Sequence, residues 1–170
     1  YRARRDWAES AGASQLVLFP DGTMVVNAYI CGPDPGCGNS LVYLDNRGSY
    51  VRDVHQFPHG QGGRITGSDD SAVVIATRVR PVGSTYRSDF HWYKLDLNGN
   101  PVWDFTWSFS DSEELEIAVD VHRITRCDDF GFLISATYST DDVEDNGRRG
   151  VVFLWLKNNG QLLNRPTLSD

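Results

Sequence analysis

The sequence predicts an all-β protein made of three four-stranded antiparallel β-meander units. Three observations predict it. A Leu-to-Gly turn recurs as Leu44-Asp-Asn-Arg-Gly48, Leu95-Asp-Leu-Asn-Gly99 and Leu156-Lys-Asn-Asn-Gly160. A second segment recurs upstream of each, as Asp21 to Ala28, Asp69 to Ala76 and Asp129 to Ala136. The steps from Ala28 to Gly48, Ala76 to Gly99 and Ala136 to Gly160 are nearly equal, so each unit has two anchors in the same order. Repeats at a fixed spacing decide a fold before any local propensity does.

The strands follow from these anchors. Asn and Gly tolerate positive φ, so each Gly segment reads as a hairpin turn between an aromatic-rich strand and a further extended run. Each Asp segment is a turn residue followed by mostly apolar, β-branched residues and an Ala, which reads as a strand. A strand precedes it in each unit: Gln15–Phe19, Arg64–Gly67 and Val121–Thr125. A strand follows each Gly turn: Ser49–Val54, Val102–Trp107 and Gln161–Asn164. Each unit therefore has strands a, b, c and d in order. Ala28, Ala76 and Ala136 are expected to allow close packing between units. One or two turns of helix are expected in Ser110–Ala118, where Ser110 and Glu113 have capping-box spacing.

Four-stranded repeats of roughly 40–50 residues are the pattern of β-propeller blades. The boundaries read as 1–13 for an N-terminal segment, a candidate strand of a preceding blade, then 14–57, 58–110 and 111–170 for three blades. The order of turn Asp, apolar strand, Ala, loop, aromatic strand and Trp92-Tyr-Lys-Leu-Asp-Leu-Asn-Gly-Asn-Pro-Val-Trp103 resembles the repeats of bacterial secreted and cell-surface β-propellers. Unit one departs from it with Arg52 in place of the downstream Trp, and unit three with Lys157 in place of the turn Asp. Closed propellers have about 4–8 blades, so three imply a partial ring. The expectation is an excerpt or processed product of a longer chain, with a homodimer or partner subunits completing the ring as the alternatives.

Charge and composition narrow the function. The net charge of −7 disfavours a nucleic-acid partner. The basic run Tyr1-Arg-Ala-Arg-Arg5 is a local exception that reads as a solvated end. No apolar run reaches the ~20 residues of a membrane-spanning helix. Cys31 and Cys37 bracket Gly-Pro-Asp-Pro-Gly, a turn able to bring two sulfurs together, set against two free thiols in a loop. A disulfide there points to an oxidising compartment, extracellular or the cell envelope. Cys127 is expected to be a buried, unpaired thiol.

In such a meander the a–b and c–d turns share one end, and the b–c and d–a connections the other. The first set is short. The second is long, and long loops on a rigid scaffold are where binding concentrates. Tyr86, Arg87 and Asp89, with Arg78 and Arg80 nearby, form the ligand-binding candidate, because rings stack on sugars or peptides while charged groups hydrogen-bond. His59, in a Gly-rich loop, is a second candidate, against the plainer reading of a solvated residue. His91 and His122 are expected to be structural or surface residues. Asp141, Asp142, Glu144 and Asp145 are weak Ca2+ candidates that lack the ordered spacing of a calcium loop, and no other cofactor is expected. Trp92, Trp103, Trp107 and Trp155 are assigned to packing.

No catalytic motif stands out. The Ser-x-Asp-x-Gly-x-Thr-Trp box of sialidase blades and Gly-x-Ser-x-Gly are both absent. The expected role is a non-catalytic binding or scaffolding module for protein or carbohydrate. A fragment of a glycosidase-like or quinoprotein-like propeller enzyme and a purely structural subunit are the alternatives.

Overall fold

A computed structural model of the chain describes residues 10–31, 37–56, 63–68, 72–79, 87–109, 117–127, 130–140 and 149–164. They form three separate antiparallel sheets of four, four and three strands. The first contains β1 (Ser10–Leu18), β2 (Met24–Cys31), β3 (Cys37–Leu44) and β4 (Tyr50–Gln56). The second contains β5 (Arg64–Gly67), β6 (Val73–Val79), β7 (Asp89–Leu95) and β8 (Pro101–Trp107). The third contains β9 (Ile117–Cys127), β10 (Gly131–Thr140) and β11 (Arg149–Leu156). Each is a simple meander, and none closes on itself.

The repeated Gly turns are built alike. Gly48, Gly99 and Gly160 have φ of 77°, 87° and 82°, a region that favours Gly. In each, the Gly amide donates to the carbonyl three residues back: Asp45, Asp96 and Lys157. Asp45 and Asp96 also accept backbone amides through their side chains. Lys157 cannot accept, and Asn159 takes over by accepting the Gln161 amide at 3.1 Å. Among the described residues no group of three or more His, Cys, Asp or Glu is placed to hold a metal. The candidates Asp141, Asp142, Glu144 and Asp145 lie outside the described residues.

The sequence expectations need four corrections. First, Gln161–Asn164 is not a fourth strand of the third sheet. It makes one isolated bridge, Leu156 to Leu162. The Asn164 side chain then takes the strand's place, accepting from the Trp155 amide at 2.7 Å and donating to the Phe153 carbonyl at 3.1 Å. Second, Ala76 is not the counterpart of Ala28 and Ala136. Cross-strand register pairs Met24 with Leu44, Val73 with Leu95 and Phe132 with Leu156, which aligns Thr77 with the two alanines. The alignment on Asp69 is one residue out, because Ser68-Asp-Asp-Ser71 offers two adjacent turn aspartates. Third, Cys127 is free but only half-buried. Fourth, Trp155 is an exposed residue, unlike the buried Trp92. In addition, β1 begins at Ser10, so residues 10–13 pair with β2 of the first sheet. Ile117 and Ala118 open β9, and the rest of the expected helix lies outside the described residues.

The corrected alignment exposes the packing rule. Strands alternate faces, so a one-residue shift moves every side chain to the other side of a sheet. Call one side of each sheet its front. In the first sheet the front carries Val17, Phe19, Val25 and Leu41, which pack on Ile65, Val73, Ile75, Tyr93 and Leu95 of the second. Those residues form the second sheet's back. Its front carries Val74, Phe90 and Trp92, with Trp103 and Phe105 beside them. They pack on Phe132, Ile134, Leu154 and Leu156, the back of the third sheet. Front meets back both times, and equivalent positions serve the same side in every sheet. Each front also grips the next sheet's Gly turn. Arg52 donates to Leu97 O at 2.9 Å and Asn98 Oδ1 at 3.0 Å. Trp92 Nε1 donates to Gly160 O at 2.8 Å.

Candidate functional site

The first strands of the three sheets run side by side, β1 against β5 and β5 against β9. Their outer edges would leave unpaired backbone groups, which side chains from the neighbouring sheet satisfy. Gln15 accepts from the Ile65 amide at 2.9 Å, and Arg64 Nε donates to His122 O at 3.0 Å. The Asn27 amide donates to Gly63 O in the same way. A shallow cavity of about 400 Å³ follows this common edge, between Gln15, Thr66 and Arg123.

A larger cavity, about 550 Å³, lies at the loop-rich end between the second and third sheets. Its lining includes Arg78, Asp120, Thr137, Tyr138 and Arg149. Each comes from a strand near its loop-side end: Arg78 from β6, Asp120 from β9, Thr137 and Tyr138 from β10, and Arg149 from β11. Register then clusters them. Thr137 faces Asp120 across β9, and Tyr138 faces Gly150 across β11. Gly150 is required by the ring opposite: a Cβ there would meet the Tyr138 ring at 2.5 Å. The Tyr138 ring therefore lies over the β11 backbone, braced on its other side by Phe109 at 5.5 Å between ring centroids. His122 Nε2 and Thr137 Oγ1 are hydrogen-bonded at 2.9 Å, which holds one wall.

The floor is stitched by a buried serine. Ser88 Oγ accepts from the Val119 amide at 2.8 Å and sits 3.3 Å from Val119 O, while the Ser88 amide donates to Ile117 O at 3.0 Å. The flanking Arg87 and Asp89, expected in a ligand loop, form a clasp with each other at 3.2 Å. Arg87 also donates to Ser108 Oγ at 3.2 Å. Of the expected binding residues, Arg78 lines the cavity. Arg87 and Asp89 brace the strand that leads to it. Tyr86, Arg80 and His59 lie outside the described residues. His91 bonds Asp104 at 2.8 Å on the other side of the sheet and stacks on Tyr93.

Sequence reading missed Asp120, Tyr138 and Arg149 as site residues. The signal for them is positional. All three sit within a few residues of the long connections, but only the pairing of the second sheet with the third brings them beside Arg78.

The arrangement presents two guanidinium groups, one carboxylate, one phenol and two hydroxyl-bearing side chains around an open, wettable depression. Its size falls in the roughly 300–1,000 Å³ range of ligand pockets. Among the described lining residues Asp120 is the one carboxylate. Cys31, at the loop-rich end of the first sheet, is disulfide-bonded, and its register partner across the ladder is Cys37.

No protein-family model matches the chain, and no curated protein is detectably similar to it. Among solved structures, it is similar to the crystal structure of a protein of unknown function from Bacteroides caccae, with a TM-score of 0.51 and 12% identity. The match covers 95% of this chain and 47% of that one, so the chain spans about half the length of its structural neighbour. At this identity the likeness is one of fold.

Proposed function

We propose that the chain is a non-catalytic binding module, a set of β-propeller blades that recognises an acid-bearing glycan at its loop-rich end. The observation that carries this is the cavity lined by Arg78, Arg149 and Tyr138. Guanidinium forks match carboxylates bidentately, and the phenol hydroxyl of Tyr138 adds a hydrogen-bonding group for a sugar. Asp120 and Thr137 add partners for hydroxyl groups. A local pair of cations is needed for such a ligand, because the chain as a whole is acidic.

The blade reading draws on the three meanders, their front-to-back packing and the neighbouring first strands. Further sheets complete the ring in this reading. In this reading the module works outside the cytoplasm or in the cell envelope, which the disulfide at Cys31 supports. The enzymatic alternative would need a second carboxylate across the cavity, since glycoside hydrolysis uses two at about 5–9.5 Å.

Titration calorimetry with an oligogalacturonate tests the proposal. Binding is expected to weaken at least tenfold in Arg78→Ala and in Arg149→Ala, and to fall as salt screens the charges. Binding that ignores both substitutions would defeat it. Tighter binding of an acidic peptide than of the oligosaccharide would shift the reading to a protein ligand. Cleavage of the oligosaccharide during the titration would establish the enzymatic alternative.

A further inference from the structure

At its loop-rich end the second sheet reaches the third through Ser88, the residue just before β7. The Ser88 amide donates to Ile117 O at 3.0 Å. Its Oγ accepts from the Val119 amide at 2.8 Å and lies 3.3 Å from Val119 O. Ile117 and Val119 are two residues apart on β9, so the backbone groups that Ser88 meets lie along one edge of that strand. Ser88 thus imitates one residue of a neighbouring strand. Its amide plays the usual part, and its hydroxyl stands in for a carbonyl. Alanine could make the first bond but not the second. Ser88 and Val119 are 6% and 1% exposed, so the Val119 amide has little access to water in place of the hydroxyl. Arg87 and Asp89, bonded to each other at 3.2 Å, hold the segment on either side of Ser88.

These bonds join the two halves of the larger cavity's lining. Arg78 sits on β6 opposite Phe90, which is two residues after Ser88. Asp120 follows Val119 directly, and Val119 faces Tyr138 across β10. Much of the contact between the two sheets is apolar, with Val74, Phe90 and Trp92 against Phe132, Ile134, Leu154 and Leu156. Apolar burial is non-directional, so it holds two sheets together without fixing how far one slides on the other. Hydrogen bonds have direction and a narrow range of length. Arg64 and Trp92 supply such bonds further along, to His122 O and Gly160 O. Ser88 supplies them beside the cavity. We infer that Ser88 is a positioning residue for this site: it sets Arg78 on one sheet against Asp120 and Tyr138 on the other, without touching the ligand.

The inference rests on the acid-bearing ligand proposed above and adds what fixes the geometry of its site. Titration calorimetry with the oligogalacturonate tests it. Ser88→Ala is expected to weaken binding about fivefold or more, the change that one lost hydrogen bond corresponds to. Trp92→Phe loosens the same two sheets at their other end and is expected to leave affinity within about twofold, so a general loss of stability would move both variants and a positioning role only the first. In the Ser88→Ala background, Arg78→Ala is expected to cost clearly less than in the unaltered chain, because the guanidinium is already out of place. Far-UV circular dichroism checks that the fold is kept. Ser88→Cys, close in size but a weak acceptor, replaces Ser88→Ala if that variant fails the check. Three results would each overturn the positioning role and leave the binding proposal standing: folded Ser88 variants that bind like the unaltered chain, a loss in Trp92→Phe as large as in Ser88→Ala, or full additivity with Arg78→Ala. An unaltered chain that does not bind the oligogalacturonate would overturn both together.

Discussion

Replacing Trp92 by Phe tests how strongly the second and third sheets are locked. The Trp92 side chain is buried between them and its indole N–H donates to Gly160 O at 2.8 Å. Phe keeps the six-membered ring but removes the donor. A net hydrogen bond contributes about 1 kcal/mol, and leaving the buried Gly160 carbonyl without its partner adds a desolvation cost of about 1–3 kcal/mol. The missing pyrrole atoms leave a small void against Phe105, for about 1 kcal/mol more. These terms overlap, so the expected loss is about 2–4 kcal/mol. Urea unfolding followed by far-UV circular dichroism reads it as a lower midpoint at unchanged slope. Phe130→Ala is the control, since Phe130 is among the most exposed apolar residues and is expected to change stability by less than about 0.5 kcal/mol. A Trp92→Phe loss no larger than the control's would refute the lock between indole and turn.

Other outcomes follow from single residues. Gly131 has φ of 111°, and a Cβ there would come within 2.1 Å of Leu156 O, so Gly131→Ala is expected to destabilise by more than about 2 kcal/mol in the same assay. Hydrogen bonds from Asn100, then from neighbouring amides, hold the Asp96 carboxyl below its ordinary range, and bonds from Thr23 do the same for Asp21. Their stabilisation is present above the ordinary carboxylate pKa and is lost as pH falls through the depressed values; the acid-side drop in urea midpoint should shrink in Asp96→Asn. Burial, reinforced by the Asp104 carboxylate, raises the Tyr93 phenol well above its ordinary value. The unfolded chain then loses that proton first, so stability falls as pH rises above about 10, and ultraviolet titration should show one tyrosine ionising only on unfolding.

The parts of the fold legible in the sequence are those where local chemistry leaves few choices. Positive φ at Gly48, Gly99 and Gly160 restricts those positions to Gly, so the hairpins could be read directly. Turn acceptors were less certain guides. Asn159 can do the work of Asp45 or Asp96 from another position, and two adjacent aspartates at 69 and 70 left the second b strand one residue ambiguous. That residue matters, because it decides which side chains face which sheet. Register across β6 and β7 fixes it, and register is a long-range property.

Gln161–Asn164 misled for a related reason. Its two leucines look like strand, yet its backbone meets β11 only around one bridge, and the Asn164 side chain supplies the remaining bonds along that edge. Arg87 and Asp89 stand out in the sequence as ligand groups because charges beside an aromatic look functional, and in the structure they pair with each other at 3.2 Å. The cavity itself was not legible. Arg78 and Arg149 are far apart in sequence and line one cavity only because one sheet's front covers the next sheet's back.

That front-to-back order is what organises core and cavity alike. Nuclear Overhauser contacts in a methyl- and tryptophan-labelled sample test it most directly. The order predicts contacts from Val17 methyls to the Gly67 α-protons, and from the Trp92 indole proton to Gly160. Contacts from Phe153 to Trp92 within one chain would put the opposite face of the third sheet on the second and contradict it.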